Sequence, residues 1–113
     1  MSDLPLQKRT CIPCEGGVPS LTREQAAALL RDIPGWGLAE GEPLKIERKW
    51  KFKDFTQAIA FVNAVARIAD AEDHHPDIAI NYSRVTLTLW THAIGGLSEN
   101  DFIVAAKVNA VSP

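Results

Sequence analysis

The chain has 113 residues, 46% hydrophobic and 23% charged, with a formal net charge of −2. That composition suits one ordinary globular domain large enough to bury a core without disulfides. It excludes a general binder of phosphate backbones, which carries a basic stripe. No apolar run approaches the roughly 20 residues of a membrane span, and "MSDLPLQKRT" lacks the apolar segment of a signal peptide. These features predict a cytoplasmic protein with neither nucleic acid nor membrane as partner.

Residues 1–20 read as an extended arm rich in Pro and Gly, ahead of a single domain over 21–113. The arm holds the two cysteines, Cys11 and Cys14, in "TCIPCEGGVP". A redox C-x-x-C pair would open a helix next to a βαβ pattern, and a zinc site needs two more ligands. Pro13, Gly16, Gly17 and Pro19 instead mark a loop. A redox pair and a half-site completed by another subunit are the alternatives.

The first helix is predicted to begin at Thr22, which forms a T-x-x-Q capping box with Gln25. Ala26, Leu29, Leu30 and Ile33 then recur at helical spacing, and Pro34 and Gly35 end it. "WGLAEG" is a weak strand and "PLKIERKWKF" a strong one. In the latter, Leu44, Ile46, Trp50 and Phe52 alternate with lysines and Glu47, one face for the core and one for water. Arg48 interrupts the apolar face, which predicts a place near an edge or in a site. The longest helix spans about Asp54 to Glu72, capped by Asp54, with a stripe of Phe55, Ala58, Ile59, Val62, Val65, Ala66 and Ala69. Pro76 stops it.

"DIAINY" and "VTLTLW" alternate again and form a hairpin turning at Ser83 and Arg84. Ser98 and Asp101 then resemble a capping box at the head of a last helix with Phe102, Ala105, Ala106 and Ala110 on one side. The order α-β-β-α-β-β-α with short turns predicts an α+β fold: a four-stranded antiparallel sheet with three helices packed on one face.

All three histidines, His74, His75 and His92, fall within "AEDHHPDIAINYSRVTLTLWTH". Sharing one face between the strands pairs Tyr82 with Val85, Ile80 with Leu87 and Ile78 with Leu89. A slip of one residue would spoil the core, and a slip of two would keep the faces. Extending the first register sets His75 across from His92. The histidines therefore converge at one end of the hairpin. A single histidine at a helix end needs no function beyond its dipole contact. Adjacent histidines point apart, and neither H-x-H nor H-x-x-x-H occurs, which disfavours a metal site. Acid–base chemistry near neutral pH fits three imidazoles better. Asp70 and Asp73 stand close enough to orient a ring.

"DHHPDIAINYSRVTLTLWTHAIGGLSENDFIVAAKV" resembles the signature region of the pterin-4a-carbinolamine dehydratases, bacterial type. The His-His-Pro turn, the Thr-His step, the Gly-Leu-Ser cap and the Asp after it carry the likeness. "GW", the aromatic strand before "KDF" and the helix "FTQAIAFVNAVARIAD" extend it over roughly residues 21–110. The resemblance implies a hydro-lyase that dehydrates 4a-hydroxytetrahydropterin to quinonoid dihydropterin. This would recycle the pterin cofactor of aromatic amino acid hydroxylases, with no cofactor and no metal of its own. It implies catalysis by His74, His75 and His92, with His74 and His92 as proton carriers and His75 as substrate binder. Pterin binding falls to His74, His75, Pro76, Thr91, His92, Ala93, Ile94 and Trp36, supported by Asp70, Asp73 and Asp101. A homo-oligomer, dimer or tetramer, is implied as well, and a functional link to a hydroxylase. Two residues depart from the family's usual pattern: Asp70, where many members carry Glu, and Trp90, where smaller polar residues are common. The alternative reading is a non-catalytic binding or assembly module on the same fold. Relatives that assemble Rubisco tend to lose the histidines, and this chain keeps all three.

Overall fold

A computed structural model describes residues 5–12, 19–39 and 41–113. Among these residues are three helices and four strands: α1 (Arg23–Leu30), β1 (Gly37–Ala39), β2 (Lys45–Lys51), α2 (Phe55–Glu72), β3 (Asp77–Asn81), β4 (Arg84–Leu89) and α3 (Glu99–Val111). Short 3₁₀ turns add Leu6–Lys8 and His92–Ile94. The strands form one antiparallel sheet in the order β1-β2-β4-β3. The α+β class and the element order follow the sequence pattern. Residues 13–18, including Cys14, lie outside the described residues, so the C-x-x-C reading does too.

The helix starts obey the side chains at their heads. Thr22 and Gln25 form the expected reciprocal box, with the Thr22 hydroxyl accepting from the Gln25 amide at 3.1 Å. The Asp54 carboxylate accepts from the Gln57 amide at 2.8 Å. Such caps each contribute about 1 kcal/mol. The sheet's inner face carries Ile46, Trp50, Val85, Leu87 and Leu89, all buried. Against it pack Ala58, Phe61 and Val65 of α2 and most of α3 from Phe102 to Val108. An aromatic cluster joins the layers: Trp36 meets Trp50 edge-on at 5.8 Å, and Trp50 meets Phe61 at 4.8 Å. Each such pair is worth roughly 0.5–1.5 kcal/mol beyond its buried area.

Four local details differ from the sequence reading. The apolar stripe of α2 holds at Ala58, Val65 and Ala69, which are buried, but Phe61 joins them unforeseen while Phe55 and Ala66 are exposed. Both sets have helical spacing, so periodicity alone does not separate them. α3 is buried on most sides, from Asn100 through Ala106 and at Val108, rather than along one stripe. Arg48 is not at an edge, because β2 is an interior strand. Its guanidinium lies 4.7 Å from the Trp50 ring and donates to Asn109 Oδ1 at 2.7 Å and the Pro34 carbonyl at 3.2 Å. Gly35 makes room for it: a Cβ there would stand 2.6 Å from Arg48 Nε, and the backbone has φ 91°.

The hairpin is the fourth correction. Ile78 pairs with Leu87 and Ile80 with Val85, two residues from the expected register. The turn is Tyr82–Ser83, with Tyr82 in the left-handed region at φ 56°. The Phe52 amide donates to the Ser83 carbonyl at 2.7 Å, which ties this turn to the end of β2. A shift of two keeps every side chain on its face, so hydrophobic pattern could not choose between the registers. His75 therefore does not oppose His92 across the ladder, which ends at Asp77 and Thr88.

Candidate active site

The histidines line one cavity all the same, brought to it by two chain reversals at the open end of the hairpin. The first follows α2. Asp73 takes a left-handed conformation, φ 51°, and the His74 amide returns to the Ala69 carbonyl at 3.1 Å. This is the Schellman way of ending a helix, and it satisfies a carbonyl that would otherwise be orphaned. It also turns the His74 side chain back toward α3. The second reversal follows β4. Thr91 and Gly96 form an isolated antiparallel bridge, with the 3₁₀ turn His92–Ile94 between them. Gly96 is packed against Ser20, so closely that a Cβ would stand 2.7 Å from that side chain.

Between the reversals lies an open cavity of ≈ 590 Å³. His74, His75, Pro76, Thr91, His92 and Ala93 line it, as do Asp73, Asp77 and Trp90. Of the residues singled out in the sequence, Ile94 sits half-buried in the 3₁₀ turn outside this lining. Asp70 and Asp101 stand behind the histidines. Trp36 is elsewhere: it is a core residue whose indole donates to Asn109 Oδ1 at 2.8 Å.

His74 and His75 are held very differently. His74 Nε2 is 2.6 Å from Asp101 Oδ1, and the Asp101 side chain is fully buried while that of His74 is 13% exposed. The other carboxylate oxygen of Asp101 accepts from the Ser98 amide and the Thr91 hydroxyl, both at 2.9 Å. A carboxylate receiving such donors acts as an acceptor, so the N–H of the His74 ring is at Nε2 and the remaining nitrogen is Nδ1. His75 Nε2 lies 3.0 Å from Asp70 Oδ1, but these side chains are 57% and 78% exposed. Water competes for both groups of that second pair, which holds its ring weakly. His92 is exposed, and its ring rests against Trp90 at 3.8 Å between centroids. Lys45 lies over the same indole at 4.7 Å. Asp73 supplies the left-handed turn and also lines the cavity.

Sequence reasoning did not foresee Cys11, Ile12, Glu72 and Asn100 at this cavity. The Cys11 amide donates to Glu72 Oε1 at 2.8 Å, and its thiol lies 3.6 Å from the Asn100 carbonyl. Burial, and then the nearby Glu72 carboxylate, push the Cys11 thiol up to about 12. The thiol is a neutral group at physiological pH, not a nucleophile. No local signal in the sequence connects an arm near residue 11 to helix positions 72 and 100; only the fold does.

Known proteins resemble this chain in sequence and fold. The model of the family described as pterin 4 alpha carbinolamine dehydratase matches residues 19–111. A Halorhodospira halophila protein bearing that dehydratase's name is 47% identical, over 94% of this chain and 96% of its own. A Stenotrophomonas maltophilia protein of the same name is 48% identical, over 99% of this chain and 97% of its own. Among solved structures, the transcriptional coactivator/pterin dehydratase from Brucella melitensis matches with a TM-score of 0.78 and 38% identity. That match covers 83% of this chain and 99% of the other. A pterin dehydratase-like protein identified as a RuBisCO assembly factor in the alpha-carboxysome matches with a TM-score of 0.58 and 27% identity. There the shares are 67% of this chain and 87% of the other.

Proposed function

The chain belongs to the pterin-4a-carbinolamine dehydratase family, a family of hydro-lyases, and we propose that it dehydrates 4a-hydroxytetrahydropterin to quinonoid dihydropterin by histidine acid–base catalysis. The observation that carries this reading is the His74–Asp101 pair at the wall of the cavity. Loss of water from the substrate requires a proton on the departing hydroxyl and removal of one from a ring nitrogen. A positioned acid or base accelerates such a step by on the order of 10²–10⁴.

Asp101 fixes the His74 ring through Nε2, leaving Nδ1 to give or take the proton. His92, at the opposite reversal, supplies the second proton carrier. His75, loosely paired with Asp70, binds substrate. The backbone of His74–Pro76 and Thr91–Ala93 flanks the cavity on two sides, which suits a flat heterocycle with donors and acceptors along its edges. The same reading gives the protein a role in recycling the cofactor of an aromatic amino acid hydroxylase in the cytoplasm. No helix of the described residues is long and apolar enough to cross a membrane. It also makes the working form a homo-oligomer, supported by the open edge of β3 and its half-exposed Ile78 and Ile80.

The test is direct. A hydroxylase generates the 4a-hydroxy adduct, and absorbance follows its decay. The protein accelerates that decay, and His74→Ala and His92→Ala each lose about 10²-fold or more. Decay at the uncatalysed rate, or full activity in both variants, overturns the proposal.

A further inference from the structure

The arm ahead of the first helix plays no part in the proposed reaction. Residues 5–12 precede the segment matched by the family's model, yet Cys11 and Ile12 line the cavity with the histidines. The arm is fastened at several points. Leu6 is 6% exposed within the core, and Arg9 pairs with Glu99 at 2.9 Å. The Cys11 amide is held by Glu72, itself 3.6 Å from Lys107 Nζ. The Ile12 amide donates to Asn100 Oδ1 at 3.1 Å, and Asn100 Nδ2 donates back to the Ile12 carbonyl. Asn100 is buried, 4% exposed, in the first turn of α3, one residue before Asp101. This two-way amide clasp grips the Ile12 backbone much as a neighbouring strand would.

The residue on that gripped backbone is nonetheless 70% exposed. A large apolar group fixed at the rim of a polar cavity gains when apolar surface covers it. Its backbone ordering is already provided by Asn100, so covering it carries little further entropy cost.

We propose that Ile12 is a specificity-determining wall of the site, covering apolar surface of the bound reduced pterin from the arm ahead of the first helix. The inference rests on the pterin reading of the cavity. It makes Asn100 the hinge between two functions: its neighbour Asp101 orients His74, while its own amide sets the wall.

The experiment compares the full-length protein with Ile12→Ala and Ile12→Asp. Removing a contact made equally in ground and transition states raises KM and leaves kcat alone. KM rises by about 3- to 10-fold in the alanine variant and further in the aspartate variant, with kcat within about twofold. The thermal midpoint stays put, since the side chain is mostly in water. An active parent enzyme with unchanged KM in both variants overturns the inference and leaves the dehydratase reading intact. So does a changed oligomeric state with no change in KM. If the parent lacks dehydratase activity, titration with 7,8-dihydrobiopterin, read by tryptophan fluorescence, decides separately. Weaker binding by Ile12→Asp supports the wall; equal binding, or none by the parent, overturns it.

Discussion

His74 and His75 are neighbours in sequence, each with a carboxylate partner, and burial alone sets them apart. Asp101 is enclosed and its three donors are fixed, so changing it has a defined chemical result. In Asp101→Asn, Ser98 and Thr91 still require an acceptor, so the amide oxygen faces them and the NH₂ faces His74. The ring must then accept at Nε2 and carry its proton on Nδ1, the reverse of the tautomer that the Asp101 carboxylate favours. We expect kcat to fall by about 10²-fold or more with an altered pH profile, while the protein stays folded. Asp70→Asn should change kcat/KM by less than about threefold, because exposed ion pairs contribute about 0–1 kcal/mol. Steady-state kinetics of the two variants checks both; equal losses would refute the distinction. Cys11 offers a pH prediction. Its thiol is raised to about 12 from an ordinary 9.0 in the folded state. Its contribution to stability is therefore intact below pH 9 and lost as pH rises from 9 toward 12, where the unfolded chain ionises first. Alkylation of Cys11 by iodoacetamide should remain slow at pH 8–9 and quicken on unfolding; a rapid reaction at pH 8 in the folded protein would contradict this.

Elements carry the second group of consequences. Tyr82 sits at φ 56° with its side chain 70% exposed. A left-handed conformation costs an ordinary residue roughly 1–2 kcal/mol, and Asn less. Tyr82→Asn should therefore stabilise the protein by about 1 kcal/mol, raising the thermal midpoint by about 4 °C. Calorimetry checks it, and a lower midpoint would mean that Tyr82 has a contact the turn depends on. The same turn marks where the sequence stopped being informative. Helix starts were legible because Thr22, Asp54 and Ser98 cap by local chemistry. Strand faces were legible because alternation is local too. The register was not, because a Tyr-Ser turn lacks the Gly or Asn that would announce it, and a two-residue slip leaves the alternation intact. The buried face of α2 was hidden for a related reason. Phe55 and Ala66 fall at helical spacing with the buried residues, and only the packed structure reveals that they are exposed and that Phe61 is buried. The gathering of the histidines at one cavity was legible, although the expected His75–His92 pairing was not its cause. Trp36 shows the opposite failure: an aromatic residue gives one sequence signal whether it lines a cavity or fills a core.

At the scale of the whole molecule, the apolar surface open among the described residues includes the edge strand with Ile78 and Ile80 and the outer side of α2 with Phe55. An unprotected edge strand with apolar side chains invites pairing with another chain. We expect light scattering to report a species larger than the 12.4 kDa monomer, and Ile80→Lys to shift it toward smaller species. A monomeric parent protein would refute the homo-oligomer. Asp101 also links scales. It closes the start of α3 through the Ser98 amide while holding His74, and α3 is enclosed along most of its length. Segments of this kind open only when the entire domain opens. The His74 side of the cavity therefore has no melting of its own: the Ser98 and Asp101 amides should exchange their hydrogens only as fast as the protein globally unfolds. In the proposed reaction, substrate would meet a His74 ring that was set in place when the chain folded, and any adjustment to the incoming molecule would fall to the exposed side of the cavity, where His92 stands in water.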